Sequence, residues 1–148
     1  LLMGARGGEV FYLGSDKDSD YGVKIPSYVT MTVSQPQDSE VVMPRIVGVH
    51  PTMGQSTLNA KMYLLSYDEP SEAHFGEEID DQSDSVRASE DIVAGRNGRL
   101  PMRGRGPFVE LRIQNDAPEE VDGADVKGHW SVEEVRVDVA ASARRRDV

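Results

Sequence analysis

Apolar residues in this chain recur at every second position and nowhere sustain the three-to-four spacing of a helix. That period constrains the fold more than any other feature, because only a half-buried strand sends alternate side chains to opposite faces. Tyr28 to Val33 sets Val29, Met31 and Val33 on one face and Thr30 and Thr32 on the other. Leu58 to Tyr67 sets Leu58, Ala60, Met62 and Leu64 against Tyr63, Leu65 and Tyr67. Phe108 to Ile113 turns Val109, Leu111 and Ile113 inward and Glu110 and Arg112 outward. Glu9 to Leu13 is a shorter apolar run closed by Gly14-Ser15-Asp16. Val41 to Val49 is rich in β-branched residues but contains Pro44, which cannot donate to a ladder and so predicts an edge position or a bulge.

The last strand pattern carries an irregularity. Trp130 and Val132 share one parity, while Val135, Val137 and Val139 share the other. Holding all five on one buried face takes one extra residue, most simply a β-bulge at Glu133-Glu134. Ser71 to Arg87 has the length for a short helix, but it contains Gly76 and too few apolar residues for a core stripe, and reads as an acidic excursion. Short strands separated by Gly, Pro, Asn and Asp predict an all-β chain: an antiparallel β-sandwich, jelly-roll-like, with long acidic loops. The expected organisation is a single domain over 1–148, with a long acidic-to-basic loop excursion at 68–98.

A chain of 148 residues buries roughly two-thirds of its unfolded surface without staples. Cysteine is absent, which removes disulfides, thiolate metal sites and cysteine nucleophiles. No apolar run approaches the ~20 residues of a membrane span, and no leader pattern is read at the start. The first residue is Leu1 rather than methionine, as in a processed product or a part of a longer polypeptide.

The net charge of −10 is unevenly spread. Between Asp68 and Asp91 ten acids face one base, Arg87; between Arg96 and Arg112 five arginines face one acid, Glu110. Overall acidity argues against duplex DNA as the main ligand, which needs a basic surface. The basic stripe Arg96, Arg99, Arg103, Arg105 and Arg112 is the candidate for a subunit interface or a DNA-facing surface, with Asp80 and Asp81 as its acidic counterpart. Glycines among these arginines give the backbone turns, and arginine's planar fork suits interfaces. The plainer reading is of surface arginines flanking an edge strand.

Motifs for chemistry are sparse. Asp16-Lys17-Asp18-Ser19-Asp20 begins like a calcium loop, but the sixth and twelfth positions are Tyr21 and Ser27 instead of glycine and glutamate, so a solvated turn is expected and at most a weak cation site at Asp16, Asp18 and Asp20. His74 and Glu77 stand three apart across the helix-weakening Gly76, and His50 and His129 are scattered. No serine sits in a Gly-x-Ser-x-Gly elbow, and neither Arg-Gly segment forms a phosphate loop. Paired carboxylates such as Glu77-Glu78 and Asp80-Asp81 lie in a run too hydrophilic to raise a carboxyl pKa by burial. No enzyme, cofactor or metal is therefore expected. Trp130, the one tryptophan, is read as a core anchor opening the final strand.

Five short segments together resemble a known family. Tyr28-Val29, Arg45-Ile46 with Pro51, Arg103-Gly104-Arg105 with Leu111-Arg112-Ile113, Trp130 with Val137-Asp138-Val139, and Arg144-Arg145 are similar to the closing β-domain of the tail hub or nozzle proteins of short-tailed bacteriophages. The resemblance covers about Tyr28 to Arg146. Pro107-Phe108 separates Arg-Gly-Arg from its strand, where the family runs straight on, and the chain has the length of one domain of a nozzle. The resemblance implies a non-enzymatic virion component of the tail or head–tail junction, made in the host cytoplasm. It would assemble with itself in a closed ring of about six or twelve copies. Neighbouring tail, adaptor or portal proteins would be its partners, and double-stranded DNA would pass through it. The acidic excursion would face either a neighbouring ring or the lumen, and an acidic lumen would let that DNA slide. The alternative expectation is a carbohydrate- or receptor-binding sandwich, on a tail fibre or free-standing, using Tyr12, Tyr63, Tyr67 or Trp130 as stacking platforms.

Overall fold

A computed structural model describes residues 2–4, 10–12, 19–20, 23–24, 27–33, 42–69, 79–116 and 128–144. The described residues are all-β, and every strand pairing among them is antiparallel. Two four-stranded sheets make the body. The first has the order β5 (Tyr28–Thr32), β11 (Phe108–Asn115), β7 (Ala60–Tyr67), β8 (Val86–Ile92). The second centres on β6 (Val42–Met53), with β12 (Val132–Arg144) on one side and β9 (Gly95–Arg96) and β10 (Gly104–Arg105) on the other. Two small hairpins, β1 (Leu2–Gly4) with β2 (Val10–Tyr12) and β3 (Ser19–Asp20) with β4 (Val23–Lys24), precede them.

One core joins the two sheets. Ile46, Val49 and Met53 of β6 pack with Met62 and Leu64 of β7, Ile92 of β8, Val109, Leu111 and Ile113 of β11, and Met102 from the connection to β10. Burying each such side chain contributes about 1.5–3 kcal/mol. Val29, Met31 and Val33 pack against this core from the β5 side, on the face their alternation predicts. The antiparallel β-sandwich expected from the period is thus the architecture found. Leu58 departs from its expected face: it lies before β7 in an isolated bridge to His129 and is 48% exposed.

The first sheet is buried on both faces along β7. Tyr63, Leu65, Tyr67 and Ile79 form a second cluster on its outer side, with Val86 against it. Ile79 is held there by Gln114, whose side-chain oxygen accepts from the Ile79 N–H (3.1 Å) while its amide donates to the Ile79 carbonyl (2.9 Å). Part of the expected loop excursion at 68–98 is therefore strand: Val86–Ile92 is β8 and Gly95–Arg96 is β9, with turns over 79–85. Small and acidic residues hide this strand from a hydrophobic pattern, because it lies at the sheet's edge and buries little.

β12 carries the expected bulge. Val132 pairs with Met53 and Glu134 with Thr52, leaving Glu133 as the extra residue. Val132, Val135, Val137 and Val139 then all stand opposite residues buried in β6, as one shared face requires. Their burial is uneven, since β12 is an outer strand of this sheet: Val135 and Val137 pack on the core, while Val132 and Val139 are exposed. Trp130 precedes β12 instead of opening it, and is half-buried against the core.

Candidate functional site

Two prolines in β6 shape the edge on which the arginines lie. Along that side, β10 pairs only with Arg45 and Ile46, Leu100 exchanges two backbone hydrogen bonds with Val49, and β9 pairs with Thr52 and Met53. The register slips by one residue between each contact and the next. Pro51 has no N–H to offer in the second gap, and only its carbonyl is used, by the Asn97 N–H (3.0 Å). Pro44 lies just beyond the β10 pairing, opposite Ala141 and beside a register shift in β12. Residues 95–105 thus form a broken edge strand, paired to β6 at three points, with Met102 between two of them turned into the core.

That edge presents Arg96, Arg99, Arg103 and Arg105, all exposed. Asn97 fixes the turn that delivers them. Its carboxamide accepts from the Val93 N–H (3.0 Å) and donates to the carbonyls of Val93 (2.8 Å) and Gly95 (3.2 Å). Gly95 takes the left-handed φ of +79° that this turn demands. Arg96, Arg103 and Arg105 make no ion pair among the described residues. Arg99 is committed instead: it donates to the Val47 carbonyl (2.8 Å) and reaches Asp138 on β12 (3.4 Å).

Asp138 also accepts from His50 Nε2 at 2.9 Å. The His50 hydrogen bond holds the Asp138 carboxyl below its ordinary range, and the charges of His50, Arg99 and Arg136 act in the same direction. Beside it, Arg136 approaches Glu134 at 3.5 Å. The reading of the sequence missed this group. Arg136 and Asp138 are legible as the polar face of the last strand, but their meeting with His50 depends on the β6–β12 register, which no local pattern supplies.

Arg112 departs from the expected outward exposure. It does project from the outer face of the first sheet, in register with Thr30 and Tyr63, yet it is 2% exposed and its guanidinium carbon lies 4.3 Å from the centre of the Tyr28 ring. Parity gave the face correctly; it does not reveal that this face is itself covered. Arg112 is therefore placed as a buried cation against an aromatic ring and not as a DNA-facing group.

The acidic counterpart lies over the outer face of the first sheet, apart from the basic edge, and no ion pair among the described residues joins the two. Asp80 caps its own turn, accepting from the Gln82 N–H (3.0 Å) and the Ser83 hydroxyl (3.0 Å). Asp81 pairs with Lys61 at 2.8 Å. The Lys61 hydrogen bond, followed by one from Ser89, holds Asp81 below its ordinary range; the same Asp81 bond raises Lys61. With Asp116 and Gln114 these groups border an open cleft of about 380 Å3. The acidic face is thus partly neutralised within the chain. The expected cation site at Asp16 and Asp18, and the His74–Glu77 pair, lie outside the described residues. Among the described residues, no group of three or more His, Asp or Glu side chains is placed to hold a metal ion. No helix among them is long and apolar enough to cross a membrane.

Trp130 Nε1 donates to Ser27 Oγ (3.2 Å), tying the approach to β12 to the approach to β5. Fold and site together define an antiparallel β-sandwich with a cationic broken edge on its second sheet. Comparison with family models, with curated proteins and with solved structures finds no match to this chain.

Proposed function

We propose that this chain is a structural assembly module rather than an enzyme. In this reading it is a component of a short-tailed phage tail or head–tail junction that forms part of a ring or tube for DNA passage. The observation that carries the assembly reading is the row of Arg96, Arg103 and Arg105, exposed along one sheet edge with no ion pair among the described residues. Weakly hydrated guanidinium forks on a pinned edge suit a carboxylate-bearing surface of the next copy, and such complementarity sets register and partner choice. The exposed turn from Asp80 to Asp84 would offer such carboxylates, with Asp81 giving up part of its pairing to Lys61. The tail assignment itself rests on the resemblance of the C-terminal segments.

The glycan-binding alternative has less support. Tyr63 and Tyr67 are buried in the outer cluster, and the Trp130 indole N–H is engaged by Ser27. The side chain of Tyr12 lies outside the described residues.

Native mass spectrometry at two concentrations tests the proposal. A closed ring is expected for the wild-type chain, lost in R103E/R105E while the far-UV spectrum stays that of the folded protein. Unchanged assembly in the double variant, or a wild-type monomer at both concentrations, overturns it.

A further inference from the structure

A second group of cations lies on the outer face of the β6 sheet, where three strands bring side chains into rows. Arg96 of β9, Thr52 of β6 and Glu134 of β12 are direct neighbours in one row; His50 of β6 and Arg136 of β12 face each other in the next. Direct neighbours in a sheet have Cβ atoms ~4.5–5.5 Å apart, so long side chains from adjacent rows converge. These residues and Asn97 line a cavity of about 220 Å3. That volume is below the ~300–1,000 Å3 of most drug-sized ligand sites.

The chemistry of the lining selects the occupant. Two guanidinium groups and the Thr52 hydroxyl supply donors from three strands, while His50, whose Nε2–H is given to Asp138, and Asn97, whose amide is given to backbone carbonyls, shape the wall; no aliphatic or aromatic hydrocarbon side chain takes part. Several parts are fixed in advance. Asn97 is tied to the Val93 and Gly95 backbone, and the backbone of Arg96 is paired to Thr52. The His50 ring is oriented by Asp138, which Arg99 supports from the other side. The one acid in the lining, Glu134, lies 3.5 Å from Arg136, and both side chains are more than half exposed. An exposed pair of this kind is worth little and yields to a better-placed anion.

We infer that this cavity binds a small phosphate-bearing molecule, with Arg96 and Arg136 gripping the oxyanion, Thr52 donating to it, and Glu134 acting as the internal competitor. Donors arriving from separate strands suit a tetrahedral oxyanion better than a planar carboxylate. In a chain of net charge −10, anion binding here is a local property and not a general attraction. The cavity shares Arg96 with the edge proposed for assembly, but it is lined by the sheet face of a single copy and needs no second one.

The test is calorimetric titration of the full chain with inorganic phosphate at constant ionic strength, with acetate as a second arm and sodium chloride as the blank. Saturable phosphate binding stronger than acetate binding is expected. R96Q/R136Q weakens it about tenfold or more, through loss of charge-assisted bonds. E134Q tightens it severalfold, and R87Q, an exposed position outside both the cavity and the proposed interface, leaves it unchanged. Denaturation midpoints of all four proteins report that each is folded. Acetate binding as tight as phosphate overturns the choice of ligand. Phosphate heats equal to the blank, undiminished affinity in R96Q/R136Q, or weaker binding in E134Q overturns the site.

Discussion

Arg99 lies across the α-carbon of Gly48, so close that a Cβ added to that glycine would overlap Arg99 Nε. From there the guanidinium reaches the Val47 carbonyl and Asp138, linking the broken edge to β12 over a central strand left bare at one position. Val47 is the residue that the register shift between Asp138 and Val139 leaves without a partner on β12. A glycine within a strand ordinarily weakens it; here it admits a side chain from the neighbouring segment.

Gly48→Ala separates these roles. Gly48 does not have a left-handed φ, so alanine suits the backbone, and the lost freedom of the unfolded chain favours it by about 0.4–1 kcal/mol. The obstructing atoms belong to a half-exposed side chain that is able to move. Stability within about 1 kcal/mol of wild type is expected, while the Arg99 Nε–H resonance shifts toward that of a free arginine. An unshifted resonance would show that Arg99 does not cross Gly48 in solution.

Asn97→Ala removes three hydrogen bonds from a side chain that is 8% exposed and leaves the Val93 and Gly95 backbone groups to find water. A loss of about 1–3 kcal/mol in urea unfolding is expected, with the Arg96 backbone more mobile by NMR relaxation. Asn97→Asp keeps the acceptor for the Val93 N–H but sets a carboxylate oxygen against the Val93 and Gly95 carbonyls, so at neutral pH its loss should be at least that of alanine. An alanine variant as stable as wild type would mean that the β6 ladder alone holds the edge.

The parity of strands was legible from the sequence, and so was the bulge at Glu133, because both follow from counting alternate positions. The inner faces of β5, β7 and β11 are those the alternation assigns. Two kinds of information were not legible. One is whether an outer face is covered: Arg112 and Tyr63 read as one polar and one apolar residue facing out, and both are buried under the second cluster's side of the sheet. The other is which strands are neighbours. His50 meets Asp138 across 88 residues of sequence, and only the β6–β12 register brings them together. β8 is hidden for a similar reason: Val86, Ala88 and Ile92 are separated by Arg87, Ser89, Glu90 and Asp91, and its pairing shifts register between Leu64 and Leu65. The arginines of 96–105 read as residues flanking an edge strand; the finding is that they are the edge, broken where Pro51 cannot donate.

Gln114 anchors the acidic turn through its two bonds to Ile79, and it is 2% exposed. Gln114→Ala is expected to cost about 1–3 kcal/mol and to speed hydrogen exchange at the Ile79 N–H. Gln114→Glu keeps the acceptor but loses the donor and buries a charge, so its loss should be the larger of the two at neutral pH. If Gln114→Glu proves as stable as wild type, that position is open to water and the anchor is not a buried one.

The Lys61–Asp81 pair sets a stability plateau with two edges. Asp81 is depressed by the Lys61 hydrogen bond from an unfolded value near 3.8. Its contribution is complete above that value and disappears as pH falls through the lower folded pKa. Lys61 is raised by its Asp81 bond from 10.5, so its contribution is complete below 10.5 and disappears as pH rises through the higher folded pKa. Because Asp81 is half exposed, the pair is worth at most about 1 kcal/mol. Asp138, depressed by its His50 hydrogen bond, shares the acid edge but has no part in the alkaline one. Urea midpoints followed from acid to alkali should therefore fall less steeply at both ends in Asp81→Asn, and at the acid end alone in Asp138→Asn. An alkaline limb in Asp81→Asn as steep as wild type would show that Lys61 owes its raised pKa to Asp116 and Asp91, the other acids near it, and not to the hydrogen bond.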